Sequence, residues 1–352
     1  MNLVFRKIKQ ASLKRKIFYA AILALLILVA FNLSLIIYGV TQGVGQLTIV
    51  WNSRLVEEVL KENNISEDTK SKIRLVQEIR KFAFDSLGLK HSENYTTFYD
   101  QKGKPILWIL TAAEAYQLKA IEWSFPLLGS FSYKGFFDLE RAKREEIPLK
   151  QEGYDTSIDE VGGWSTLGWF KDPILSNMLE RSPGSLANLI IHELTHGTLY
   201  VKNNVTYNEN LANFVGDRGA EMFIYHKFGP NSKELDQYRK RKMLSTKHKE
   251  LVLQGADRLD SLYKSFGKQI PISKKQELKS HLIKEISFQI NELHKDYSVK
   301  FKEDLDSLNN TYFLDVKRYN EKQNQFEEEF KYKFNSDFKK YMAYLRKTYP
   351  SL

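Results

Sequence analysis

The sequence predicts an α+β protein that is mostly helical. It should have an N-terminal transmembrane helix, a small antiparallel sheet, a pair of helices carrying candidate metal ligands, and long helices toward the C-terminus. Three observations predict this. A charge-free apolar run, "IFYAAILALLILVAFNLSLIIY", extends from Ile17 to Tyr38. Aromatic and β-branched segments broken by Gly and Pro crowd into residues 94–161. From about residue 174 the apolar positions recur at helical spacing, and the first of these stretches contains "IIHELTHGTLY" at residues 190–200.

The chain has 352 residues, enough for one large domain or two modest ones, and 42% of them are hydrophobic. It contains no cysteine, which excludes disulfides, thiolate metal sites, cysteine nucleophiles and cysteine-linked lipid anchors. Any metal must be held by His, Asp or Glu. The formal net charge is +10, but no basic run is interleaved with aromatics. The charge reads as a solvated basic surface, and no nucleic-acid partner is expected. Nothing in the sequence sets an oligomeric state.

The elements follow in chain order. Residues 1–16 form a basic tail, and residues 17–39 are the anchor in the lipid bilayer. The run from Ile17 to Tyr38 would span roughly 33 Å as a helix, enough to cross the hydrocarbon core. It is longer than the apolar part of a cleavable signal, and no small-residue cleavage site follows. Arg6, Lys7, Lys9, Lys14, Arg15 and Lys16 precede it, whereas the next basic residue after it is Arg54. That asymmetry predicts a single-pass protein with a cytoplasmic N-terminus and an extracytoplasmic body, on the periplasmic side in a Gram-negative cell. Residues 50–89 read as helical, with Ser66 as a cap and Gly88 as a stop. Residues 94–161 read as the antiparallel sheet. All five tryptophans precede residue 170, which predicts that the core is seeded there. Ser182-Pro183 opens the histidine-bearing helix, and Asn208 is the expected cap of the next. Long charged helices follow, one stopping near Gly267 and another running over about residues 273–297. Tyr319, Phe326, Phe330, Phe334, Phe338, Tyr341 and Leu345 then recur as one stripe, read as packing surface of a single helix. Residues 40–230 are thus the expected catalytic region, and 231–352 a helical region packed on it.

The chemistry lies in H-E-x-x-H. His192 and His196 are four residues apart and project from the same side of a helix, so each can give one imidazole nitrogen to a single Zn²⁺. Glu193 is rotated by about 100° and can reach a water on that metal as a general base. The competing reading is a core helix with two hydrogen-bonded histidines. A catalytic zinc needs a third protein ligand and an open position. Glu209 is the candidate, thirteen residues on in "YNENLANFVGDRGAE" after the short polar loop "KNNVT". Ala212, Gly216 and Ala220 lie at about −60°, −20° and +20° from it on a helical wheel. Small residues there let two helix backbones approach closely. Asp217, Glu221 and His226 compete for the role. Asn213, one turn after Glu209, is the candidate acceptor from a ligand histidine's second N–H, with Asp217 as rival.

At "HELTHGTLYV", "NENLANFVG" and "GWSTLGWFKDP" the chain resembles the putative bacterial aminopeptidase family, gluzincin-like H-E-x-x-H proteins. The resemblance covers roughly residues 45–345. It implies a zincin-like helix pair, a peptide substrate, His192, His196 and Glu209 as zinc ligands, and Glu193 as the base. It also places Tyr319 near the site, as a candidate donor to the oxyanion. Zinc peptidases commonly lay substrate along an extended edge, and residues 163–170 are the expected edge, with Trp164, Ser165, Thr166, Leu167 and Gly168 as substrate-binding residues and Trp164 and Trp169 lining the cleft; the competing reading is a core strand and turn. The expected function is a membrane-anchored zinc peptidase acting as an aminopeptidase. The alternatives are an endopeptidase using the same site and a non-catalytic membrane scaffold. Glu160 is the one candidate to bind a free α-amine.

Overall fold

The computed structural model describes residues 13–125, 129–161, 171–202, 204–297, 299, 307–320 and 323–349. The protein is a mostly helical α+β structure with small sheets and an apolar helical N-terminus. It divides into two compact units, Met1–Trp51 and Asn52–Leu352.

In the first unit, the apolar run is shared by two helices, α1 (Leu13–Phe31) and α2 (Leu33–Asn52). Asn32 interrupts them because its side-chain amide donates to the Leu28 carbonyl at 2.8 Å. The backbone ladder nevertheless continues, with Asn32 N–H on Leu28 O at 3.1 Å and Ile36 N–H on Asn32 O at 2.9 Å. Of the described helices, α2 is long and apolar enough to cross a membrane, and a signal sequence would meet the same test. The expected span at 17–39 overlaps both helices.

The second unit opens with β1 (Arg54–Leu55) and a single helical turn, α3 (Val56–Val59). Helix α4 (Glu67–Asp85) follows, and Ser66 caps it by accepting the Thr69 N–H at 3.1 Å. Gly88 ends it at φ +73°, a conformation that suits glycine. The strands are β2 (Thr97–Tyr99), β3 (Trp108–Ala113), β4 (Trp123–Phe125), β5 (Gly129–Phe131) and β6 (Lys134–Phe136). After helix α5 (Leu139–Gln151) come β7 (Asp155–Glu160) and β8 (Ile174–Leu175). They form three small sheets, β1-β2-β8, β6-β3-β7 and β4-β5. Two expectations are corrected here. The pairing is antiparallel except between β2 and β8, which run parallel; the chain between them is long enough for the crossover a parallel pair needs. Helix α5 also lies inside the segment read as sheet. Asp138 starts it by accepting the Glu140 N–H at 2.8 Å, a polar cap that the surrounding aromatics obscured.

Among the described residues beyond β8 the main elements are helices: α6 (Pro183–His196), α7 (Val205–Phe228), α8 (Lys233–Lys264), α9 (Ile272–Asp296), α10 (Asn310–Asn320), α11 (Gln323–Glu328) and α12 (Phe338–Thr348). The cap of α7 is Asn204, which accepts from Tyr207 N at 3.1 Å. Asn208 lies inside the helix, buried, and bonds both backbone groups of Val201. The aromatic stripe is not one helix. Asn335 and Ser336 take left-handed φ values of 51° and 59°, and α12 restarts from the Asp337 cap. Phe330 and Phe338 are thereby brought together with ring centroids 4.4 Å apart and planes tilted by 40°, and both pack on Phe214 of α7.

Of the tryptophans expected to seed the core, Trp51 is 83% exposed and Trp108 and Trp123 are only half-buried, while Trp164 and Trp169 lie outside the described residues. An aliphatic part of the core lies between α6 and α7, where Leu186, Ile190, Ile191, Leu211 and Val215 are fully buried. A second cluster joins α8, α9 and α10 through Val252, Leu259, Ile286, Ile290 and Phe313.

Candidate metal centre

Helix α6 starts at Pro183, whose missing N–H costs nothing in the first turn. Ser182 holds the cap position, but its hydroxyl bonds Ser185 Oγ at 3.1 Å rather than a backbone amide. The apolar face of the helix points inward, and His192 and His196 are carried on the side facing α7. The two helices meet across small residues. A Cβ placed on Gly216 would sit 3.0 Å from the Asn188 carbonyl oxygen and 3.3 Å from His192 Cβ. Ala212 and Ala220 on the same stripe are fully buried. The close approach expected from these residues therefore occurs directly beneath a candidate ligand.

That approach brings three donor atoms together. His192 Nε2 and His196 Nε2 are 3.2 Å apart, and Glu209 Oε2 lies 3.4 Å from the first and 3.5 Å from the second. A zinc ion about 2.05 Å from each of three tetrahedral ligands requires ligand separations of about 3.3 Å. The group could hold a metal ion, and among the described residues no other set of three or more His, Asp or Glu side chains forms such a group. The competing carboxylates are turned elsewhere. Asp217 accepts from Asn188 Nδ2 at 2.7 Å. Glu221 is engaged by Arg239 at 2.8 Å, and His226 stacks beside Phe82.

Electrostatics separates the two glutamates. Burial raises the Glu209 carboxyl, but hydrogen bonds and charge from His192 and His196 outweigh it and hold the group well below the usual carboxylate range. Glu193 keeps some access to solvent, yet the protein around it pushes its carboxyl up to about 7. Burial is the main cause, the His192 ring opposes it, and the Glu209 and Asp172 carboxylates add to it. A carboxyl poised near neutrality beside a metal set is suited to exchanging protons.

Three tyrosines stand around these groups that the sequence did not point to. Tyr200 places its ring 5.8 Å from that of His196. Tyr133, between β5 and β6, has its hydroxyl raised by burial and then by Tyr200, Glu209 and Glu193, with Arg318 opposing. Tyr95 is fully buried and feels Glu193 and Asp172. The spacing of Tyr200, four residues past His196, was a usable signal; Tyr133 and Tyr95 arrive from strand connections and carried none.

Of the other expected residues, Asn213 is half-buried one turn past Glu209. His196 Nδ1 is buried with no hydrogen-bond partner among the described residues. Glu160 is exposed at the end of β7. Tyr319 lies in helix α10, whose Arg318 carbonyl accepts from Asn210 Nδ2 at 2.7 Å, next to Glu209. The Tyr319 side chain, and Trp164, Ser165, Thr166, Leu167, Gly168 and Trp169, lie outside the described residues.

Comparison with protein families matches residues 37–349 to the family described as putative aminopeptidase. No curated protein and no solved structure matches the chain.

Proposed function

This chain belongs to the putative aminopeptidase family, and from that premise we propose that it is a membrane-anchored, zinc-dependent peptidase working as an aminopeptidase. The observation that carries the metal part of this reading is the triangle of His192, His196 and Glu209 donor atoms, with sides of 3.2, 3.4 and 3.5 Å. Two imidazoles and one carboxylate are a common catalytic zinc set, and three protein ligands leave a coordination position open.

When bound, Zn²⁺ supplies Lewis acidity and brings the pKa of a coordinated water toward about 7. His192, His196 and Glu209 would hold it. Glu193 takes a proton from the attacking water as the oxygen adds to the scissile carbonyl. It returns that proton to the leaving nitrogen, so one water and one peptide bond become an amine and a carboxylic acid. A hydroxyl donor facing the carbonyl oxygen would lower the barrier further; Tyr319 is the proposed donor. Asn213 is the proposed outer-shell partner of the ligands, and residues 164–168 the proposed substrate edge. The exopeptidase part of the reading follows from the family description.

The test uses the full chain purified in detergent. About one zinc per chain is expected, and it should be lost in His192→Ala. Incubation with free and N-acetylated peptides reads the direction of cleavage: hydrolysis of only the free peptides fits an aminopeptidase, and hydrolysis of both marks an endopeptidase. A metal-free chain that cleaves neither would sink the hydrolase reading and leave the scaffold.

A further inference from the structure

Glu209 stands between two buried asparagines in the sequence, and each of them reaches a different part of the chain. Asn208 and Asn210 are 1% and 0% exposed. Asn208 bonds both backbone groups of Val201, in the loop that leaves α6. Asn210 uses its side-chain amide twice: Nδ2 donates to the Thr206 carbonyl at 2.8 Å and to the Arg318 carbonyl of α10 at 2.7 Å. Burying a primary amide costs free energy that its hydrogen bonds do little more than recover. A leucine would fill nearly the same space, so what the amide adds is direction.

The acceptor on α10 is of a kind that needs an outside donor. Arg318 lies in the last turn of that helix, where a carbonyl has no N–H of its own helix four residues on. Its guanidinium is held by Asp315 of the same helix at 2.9 Å. The Asn210 amide supplies the donor from α7 and so joins the two helices at one defined point. Glu209 is the adjoining residue, in the second turn of α7, and helix ends fray unless they are tied down. Its Oε2 lies 3.4 and 3.5 Å from the two imidazole nitrogens, a spacing that tolerates little movement. The Gly216 contact does not secure it alone, because that contact lies two turns further along α7.

We propose that Asn210 is a positioning residue for the metal group: by bonding the Arg318 carbonyl it docks α10 on α7 and sets the place of Glu209 against His192 and His196. Arg318 is also the residue before Tyr319, so one amide fixes the backbone next to a proposed ligand and next to the proposed hydroxyl donor. Docking and metal binding are then coupled in both directions, since whatever the docked helix adds to metal affinity the bound metal returns to docking. The inference rests on the reading of this group as a metal site, and it can be examined without any turnover.

The test uses the full chain in detergent, stripped of metal and titrated with Zn²⁺ or with Co²⁺, whose visible absorption reports ligand geometry. Asn210→Leu keeps the volume and removes both bonds. Asn210→Ser is the milder variant: its hydroxyl can still bond the Thr206 carbonyl one turn back, but is too short to reach α10. Both should weaken Co²⁺ and Zn²⁺ affinity about tenfold or more and change the Co²⁺ absorption of the parent. A merely structural bond would lower the melting temperature of the metal-free chain and leave affinity within about twofold and the absorption unchanged; that result overturns the proposal. Should Asn210→Leu fail to fold, Asn210→Ser decides by the same criterion. A parent chain that takes up neither ion refutes the metal reading, and the inference falls with it. A parent that binds while the variants match it refutes the role of Asn210 alone.

Discussion

Glu193 and Glu209 are the same residue type within seventeen positions, and their environments send them in opposite directions. Glu209 faces two imidazoles, which hold its carboxyl well below the usual range, as the proposed role of metal ligand requires. Glu193 is partly buried, and desolvation pushes its carboxyl up to about 7. Replacing Glu193 by Gln keeps the volume and removes the proton acceptor. Glu193→Gln is therefore expected to retain zinc and thermal stability while losing about 10²- to 10⁴-fold in kcat. Metal analysis and peptide turnover on the same preparation check this, and full activity would remove Glu193 from the mechanism. At this scale the sequence was highly legible. Spacing alone put His192, Glu193 and His196 on one helix, and the small residues pointed to Glu209. Tyr95 and Tyr133 were illegible, because what makes them notable is burial beside charges from distant segments.

At the scale of elements, the contact between α6 and α7 depends on Gly216. Gly216→Ala would press a methyl group onto the Asn188 carbonyl, an atom of the backbone that cannot swing aside. The expected cost is about 1–3 kcal/mol of stability, with weaker zinc retention in a chelator competition because His192 moves with its helix. Gly267→Ala is the control, since an added Cβ there meets nothing within 4 Å. Equal effects of the two would deny the glycine its role. The junction of α8, α9 and α10 supplies a second element-scale prediction. His248 Nε2 lies 2.7 Å from the Tyr312 hydroxyl, and His248 Nδ1 lies 3.0 Å from His294 Nε2. Burial, then His294 and Lys249, lower His248 to about 4, and burial lowers His294. The folded state thus binds fewer protons than the unfolded state between about 4 and the ordinary histidine value of 6.5. Stability contributed by neutral His248 is complete above that window and is lost as pH falls through it. Melting temperature should drop from pH 7 to pH 4.5, and His248→Gln should flatten that drop; an unchanged slope would refute the assignment.

Over the whole molecule, a buried ion pair in the second unit joins α9 to β7. Lys279 of α9 is 3% exposed, and its Nζ lies 2.6 and 2.5 Å from the two carboxylate oxygens of Asp155 on β7 and 2.9 Å from the Ala115 carbonyl. Asn310 adds its backbone N–H to Asp155 at 2.9 Å and its side-chain amide to the Glu114 and Ala115 carbonyls. Lys279→Met would leave Asp155 buried without its cation. Its expected cost is about 3–5 kcal/mol, read by denaturant unfolding, whereas a loss under about 1 kcal/mol would show the pair to be dispensable. The absence of cysteine offers a clean test of topology at the same scale. In the proposed orientation, Lys102→Cys should react with an impermeant maleimide on intact cells, and Asn2→Cys only after lysis. The reverse pattern would invert the orientation.

The sequence by itself determined what depends on near neighbours along the chain. The apolar N-terminus, the Ser66 cap, the H-E-x-x-H spacing and the small-residue face of α7 all act within a few turns of one helix. Only the tertiary structure decided what depends on chain reversal. The Asn335-Ser336 turn broke one aromatic stripe into two packed segments, and β8 returned parallel to β2. Tyr95 and Asp172, and Asp155 and Lys279, met across long stretches of sequence. Periodicity reports which face of an element is apolar, but it holds no information about which distant face will cover it. That choice is made by packing and by the pairing of buried charges.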